Sequence, residues 1–199
     1  MNDDLLFIDD DEEDVVEDLG TWKILIVDDE PEVHAITKLA LNDFFLNGKT
    51  LEFISAYSGD EAKRCFREHD DIAVVLLDVV MESDDAGLLV AEYVRNELDN
   101  HFTRIILRTG QPGQAPEKDV IINYDINDYK SKTELTAQKL FTVIIAALRS
   151  YRDIIVIEES RAGLEKIIDA SVDLFSSSSL EKFMQGIIQQ LASILGCSK

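Results

Sequence analysis

Asp28 and Asp29 stand side by side directly after one apolar run, and Asp78 ends another. Carboxylate oxygens are hard donors, and three of them brought together suit magnesium, an ion that often joins protein carboxylates to a phosphoryl group. Crowded negative charge of this kind needs something to offset it. The plainer alternative is that these acids are only solvated at strand ends, in a chain with 40 Asp and Glu residues.

Placing the three acids together is a task for the surrounding elements. Lys23-Ile24-Leu25-Ile26-Val27 reads as a strand buried on both faces, and Pro31 fits the first turn of a following helix. Ile36, Leu39, Ala40 and Phe44 recur at helical spacing, and Leu51 to Ala56 reads as a second strand. Ser58 and Glu61 have the spacing of a helix-capping box, with Ala62, Cys65 and Phe66 on the inner face. Cys65 is therefore expected in the core rather than as a reactive thiol. Ile72 to Leu77 is the most hydrophobic strand and leads into Asp78. A helix carrying Leu88, Leu89, Ala91, Val94 and Leu98 follows, then the strand Arg104-Ile105-Ile106-Leu107 and a turn at Thr109-Gly110. Beyond it two readings stay open. Either a helix starts at Pro116 with Val120, Ile121 and Tyr124 inward and a short strand lies near Asp128 to Ser131, or the strand occupies 120–123. Alternating strands and helices imply a doubly wound α/β sheet, with a crevice at the carboxyl ends of its strands. Asp28, Asp29, Asp78 and Thr109 all fall there.

From Glu134 onward the spacing of Phe141, Ile144, Leu148, Tyr151 and Ile155 follows a coiled-coil seam. The seam drifts after Glu158, resumes through Leu164, Ile168, Ser171 and Phe175, and is interrupted by Ser176 to Ser179. A last amphipathic helix is expected over 180–195, with Phe183, Ile187, Ile188, Leu191 and Leu195. The expected organisation is an acidic leader at 1–20, a domain at 21–150, and a helical extension or the start of another domain at 151–199.

Nineteen Lys and Arg against 40 acids give a formal charge of -21. The acids from Asp3 to Asp18 all precede the first basic residue, Lys23. Such a field repels a phosphate backbone, so direct nucleic-acid binding is not expected. Short, interrupted apolar runs and an acidic start argue against a membrane span and a secretory signal, which points to the cytoplasm. Cys65 and Cys197 are far apart, without the spacing of a zinc site or a disulfide framework.

Over residues 22–148 the sequence resembles the receiver domains of bacterial two-component response regulators. The resemblance rests on Ile24-Leu25-Ile26-Val27-Asp28-Asp29-Glu30, the strand ending in Asp78, Met81 three positions on, Gly87 before a helix, Leu107-Arg108-Thr109, and Asp128-Tyr129-Lys130-Ser131-Lys132. It implies a flavodoxin-like, five-stranded parallel sheet of order 2-1-3-4-5. It makes Asp78 the nucleophile that accepts a phosphoryl group from a histidine kinase, a phosphotransfer protein or a small phosphodonor. Asp29, Asp78 and the Val80 carbonyl would hold Mg2+, with Asp28 acting mainly through water. Thr109 and Lys132 would contact phosphoryl oxygens, and Tyr129 would be the aromatic switch. The family spacing selects Lys132 over Lys130. Slow autodephosphorylation is implied as well.

Glu82 and Thr133 stand where the family usually has Pro. The Ser83-Asp84-Asp85-Ala86 turn is one residue longer than usual, and 42–50 is expanded. Asp125 to Tyr129 and 133–153 further resemble regulators in which the receiver precedes a sensor-like domain and an HD-type cyclic-di-GMP phosphodiesterase. His34, His69 and His101 form no HD pair, so such activity would lie in other sequence. The long helix is expected to form a homodimer or to pass a change at Asp78 to an output domain. Two other readings are a receiver used only as a phosphorylation-independent interaction module, and a flavodoxin-like cofactor binder. The second lacks a Gly-rich phosphate loop.

Overall fold

The computed structural model describes residues 20–110, 124–132 and 136–194. In chain order its elements are β1 (Thr21–Val27), α1 (Pro31–Ala40), β2 (Thr50–Ala56), α2 (Gly59–Glu68), β3 (Ile72–Asp78) and α3 (Ala86–Glu92), which runs on as a π-helical stretch, Tyr93–Glu97. Then come β4 (Arg104–Thr109), β5 (Asp128–Ser131) and α4 (Ala137–Ile194). The acidic leader, the helix expected from Pro116, the alternative strand at 120–123, Thr133, Leu195 and Cys197 lie outside the described residues, as do the side chains of Phe175 and Phe183.

All strand pairs are parallel, in the order β2-β1-β3-β4-β5. Every residue of β3 is buried, as expected of a central strand covered on both faces. One face packs Leu25, Val75, Leu77, Ile105 and Leu107 against Phe66 and Val94. The other packs Ile24, Val74, Leu76 and Ile106 against Leu41, Phe44 and α4. Period-two alternation thus divides each strand between two cores.

The structure departs from the sequence pattern on two helices. On α1, Ile36 and Leu39 are 66% and 79% exposed, while His34 and Thr37 are buried. The inward face of that helix serves a polar layer beneath the strand ends rather than the hydrocarbon core. On α4, Leu140, Ile144 and Leu148 are buried and Tyr151 is half-buried in the core of the sheet's second face. The first half of the expected seam is therefore intramolecular. Neither the drift after Glu158 nor Ser176 to Ser179 breaks the helix, because serine lowers helix propensity by only a few tenths of a kcal/mol per residue. The chain divides into two compact units, 1–151 and 152–199. In the second, Ile157, Leu164, Ile167, Ile168 and Ile188 are exposed.

The expansion at 42–50 closes as a tight hairpin. Leu46 and Lys49 exchange backbone hydrogen bonds of 3.0 and 3.1 Å, and Asn47 and Gly48 both adopt positive φ, the geometry favoured by an Asn-Gly turn. The Leu46 carbonyl accepts from Trp22 Nε1 at 3.2 Å, so the extra residues cap the start of β1.

Arg95 organises the approach to β4 and β5. Buried in the π-helical stretch, it donates to the carbonyls of Asn100 (2.6 Å), Thr103 (3.0 Å) and Asp125 (3.0 Å) and to Asn127 Oδ1 (3.2 Å). Burial pushes its guanidinium down to about 10, against the pull of Asp125. Arg95→Met strips several carbonyls of their donor at once and is expected to cost about 3 kcal/mol or more, read from urea unfolding. A loss under half a kcal/mol would show these bonds to be incidental.

Candidate functional site

The acidic site forms where β1 and β3 end, side by side at the centre of the sheet. Asp28 and Asp78 are 0% and 3% exposed and Asp29 is open to solvent. Ligand oxygens of the three lie within 4.8 Å of one another. Asp28 is fixed from several sides. Its Oδ1 accepts from the Glu30 amide at 3.1 Å, and its backbone carbonyl lies 2.8 Å from His34 Nε2. His34 Nδ1 in turn meets Ser55 Oγ at 3.1 Å, so this histidine joins α1, β1 and β2.

Lys132, the residue after β5, supplies the cation the cluster needs. Its Nζ is 2.8 Å from Asp78 Oδ2, 3.2 Å from Asp28 Oδ2 and 3.1 Å from Glu30 Oε1. Burial alone would lower the lysine's pKa, but the bond to Asp78 and the charges of Asp78 and Asp28 outweigh it and raise it. Asp78 is raised above the ordinary carboxylate range by burial, with Lys132 pulling the other way and Asp28 adding to the rise. Asp78 Oδ1 is buried without a hydrogen-bond partner among the described residues. An orphaned buried carboxylate oxygen within an all-oxygen cluster fits a hard divalent cation such as Mg2+.

A cleft of about 400 Å3 opens over this arrangement, lined by Asp29, Glu30, Asp78, Val80, Met81, Gly110 and Lys132. Val80, expected as a carbonyl ligand, thus borders it. Thr109 is buried at the end of β4, and its carbonyl accepts from the Lys132 amide at 2.8 Å. Tyr129 pairs with Leu107 one pleat away and packs on the core. Lys130 turns elsewhere, to Asp128 Oδ1 at 3.1 Å.

The loop after β3 is anchored at two points. The Gly87 amide donates to the Val79 carbonyl at 3.0 Å, and Glu82 Oε1 accepts from the Gly59 amide at 2.8 Å. Glu82, a departure from the family pattern, thereby ties this loop to the start of α2. That helix begins as the sequence suggests, with Ser58 Oγ accepting from the Glu61 amide at 3.2 Å. Cys65 packs partly against the core, and burial raises its thiol pKa.

Sequence reasoning did not single out Arg108. It is 4% exposed, with guanidinium nitrogens 3.4 Å from Asp28 Oδ2 and 3.2 Å from Thr37 Oγ1. Burial lowers its pKa, while Asp28 and Asp78 hold it up.

Comparison with known proteins agrees with this geometry. A 174-residue stretch, 87% of the chain, is 48% identical to 3′3′-cGAMP-specific phosphodiesterase 2 of Vibrio cholerae serotype O1 and covers 33% of that protein. A further match, 27% identical, is the regulatory protein VanR of Enterococcus faecium, covering 71% of this chain and 56% of that one. The chain thus spans only a third to about a half of these relatives. Among solved structures, a response regulator receiver domain protein from Clostridium thermocellum superposes with a TM-score of 0.55 at 24% identity, over 67% of this chain and 98% of that one, a likeness of fold. Residues 144–199 match a domain of unknown function, DUF3369. Residues 24–145, including the acidic cluster and Lys132, match the response regulator receiver domain, and the chain belongs to that family.

Proposed function

We propose that this receiver accepts a phosphoryl group on Asp78 and uses it to switch a partner or an output domain. The observation that carries the reading is the asymmetry of Asp78: Oδ2 is held by Lys132 at 2.8 Å, while buried Oδ1 has no hydrogen-bond partner among the described residues. In the reaction, a carboxylate oxygen of Asp78 attacks phosphorus. An O–P bond forms, and the P–N bond to a phosphohistidine imidazole, or the P–O bond to a small donor, breaks. Asp29, Asp78 and the Val80 carbonyl would hold Mg2+, with Asp28 acting through water; the ion would neutralise charge on the phosphoryl oxygens.

Lys132 stays beside the product and pairs with a phosphoryl oxygen, while Thr109 donates its hydroxyl to another and Tyr129 follows the movement of Thr109. Hydrolysis returns the site to rest when water attacks phosphorus and the Asp78 carboxylate leaves. The donor is a sensor histidine kinase or phosphotransfer protein. The exposed apolar residues of 152–199 suit a homodimer through the long helix or attachment to an output domain. The resemblance of 125–129 and 133–153 to HD-type regulators, together with 48% identity to a 3′3′-cGAMP-specific phosphodiesterase, supports cyclic-dinucleotide hydrolysis as the activity of an attached output domain. A cytoplasmic setting suits a kinase partner, and among the described residues no helix is long and apolar enough to cross a membrane.

Incubation with Mg2+ and acetyl phosphate should add one phosphoryl group, mapped to residue 78 by mass spectrometry. A folded sample without that gain, and unchanged in association state with beryllofluoride, would instead be an interaction module. Lys132→Ala should fold and remain weakly labelled but lose phosphorylation-dependent switching. Because Lys132 lowers the Asp78 pKa, its removal should also move the acid limb of the labelling rate to higher pH. Normal switching with an unmoved limb would reject the assignment.

A further inference from the structure

We propose that Arg108 is an internal counter-ion of the acidic pocket, one that competes with a divalent cation for Asp28 and so makes tight metal binding depend on arrival of the phosphoryl group. The inference rests on the reading of Asp28, Asp29 and Asp78 as a metal and phosphoryl site.

Arg108 pairs with Asp78 across β3 and β4, and the pleat turns its side chain to the face that carries Ile106. It lies there beneath the carboxylates, bordering a cavity of about 190 Å3 with Val33, Thr37, Lys132 and Leu140. Among the described residues its guanidinium donates to Thr37 Oγ1 and Asp28 Oδ2, and Nε has no partner. A guanidinium so incompletely bonded is held in a buried position by charge, and the charge is that of the cluster. Asp28 Oδ2 therefore faces two cations, Arg108 at 3.4 Å and Lys132 at 3.2 Å.

Lys132 is accounted for by the phosphoryl group it would pair with. Arg108 has no such task, since it reaches Asp28 from the α1 side. Its effect on the pocket is electrostatic, and little screening reaches a buried pair. A fixed positive charge there repels a divalent ion arriving alone. A phosphoryl group brings about two negative charges with it, and the same guanidinium then favours the combined occupant. The predicted signature is thus a coupling: Arg108 weakens Mg2+ binding in the resting site and strengthens the dependence of that binding on the anion.

The test is isothermal titration of the 199-residue chain with Mg2+, alone and with beryllofluoride, for the natural protein, Arg108→Met and Arg108→Lys. Arg108→Met should bind Mg2+ alone at least tenfold more tightly, and beryllofluoride should improve its Mg2+ affinity by a smaller factor than in the natural protein. Arg108→Lys, which keeps the charge, should stay close to the natural protein. A merely structural role for Arg108 predicts weaker or unchanged binding in the folded Met variant, and that result overturns the proposal. Should the Met variant fail to fold, the Nε–H resonance of Arg108 in the natural protein decides. It should shift as Mg2+ is added, and an unmoved signal at saturation rejects the competition. If neither the natural protein nor any variant binds Mg2+, the failure lies with the metal-site reading itself.

Discussion

Asp78→Asn protein incubated with Mg2+ and acetyl phosphate is expected to gain no phosphoryl mass at all, under conditions in which the natural protein is labelled. The amide keeps the shape of the side chain but loses the anion of the proposed nucleophile. It also removes one of the three clustered carboxylates, so Mg2+ affinity should fall by at least ~10- to 100-fold, the loss seen even for an outer-shell partner of a metal site. Stability should move the other way. In the folded protein the Asp78 pKa lies above its ordinary value of 3.8, chiefly because the site is buried. Between that value and the higher native one the folded state holds more protons than the unfolded state, so stability falls as pH rises through this window. Above it the ionised carboxylate is a standing destabilisation, which the Asn variant lacks. At neutral pH with chelator present, Asp78→Asn should therefore melt higher than the natural protein, and Mg2+ should narrow the gap by stabilising only the latter. Residual labelling in Asp78→Asn would move the acceptor elsewhere, and Asp29 would be the next residue to map.

The strand ends were legible because a parallel strand buried on both faces must be an apolar run, and a carboxylate directly after such a run must sit at the carboxyl end of its strand. β1 and β3 obey this rule, which fixes Asp28, Asp29 and Asp78 at strand ends. Lys132 was legible only through family spacing. Nothing local separates it from Lys130, and the choice is made by a reach of 2.8 Å to a residue 54 positions earlier, the difference between 132 and 78. Arg108 was hidden for the same reason. At the end of Ile105-Ile106-Leu107 it reads as a strand leaving the core, and its burial makes sense only once Asp28 and Thr37 are seen around it. Helix α1 misled in the opposite direction. Its apolar residues Ile36 and Leu39 face solvent because His34 and Thr37 are needed inside to hold Asp28 and Arg108. On α4 the spacing of the apolar stripe predicts a coiled-coil seam, but periodicity cannot name the surface that buries it. For Ile144 and Leu148 that surface is the chain's own sheet.

Gly87→Ala should be the most damaging single change outside the acids. A Cβ built on Gly87 would fall onto the backbone of Asp78, 2.9 Å from its carbonyl carbon and 2.9 Å from Val79 Cα, on top of the carbonyl oxygen. No rotamer relieves such a contact, since both partners are main chain. The Gly87 amide is also committed, donating to the Val79 carbonyl at 3.0 Å, so α3 cannot back away without losing the bond that closes the loop. The contact is relieved by a shift of the Asp78–Val80 backbone, and a cost of about 3 kcal/mol or more is expected, at the upper end of overpacking. Because that segment carries both the proposed nucleophile, Asp78, and the Val80 carbonyl, the loss should reach the proposed chemistry as well. Urea unfolding should show the lower stability. Labelling at a temperature where the variant remains folded should be slower than in the natural protein, although every reactive side chain is intact. Natural stability together with natural labelling would mean that the β3–α3 junction has room to spare, and that Gly87 does not hold Asp78 in place.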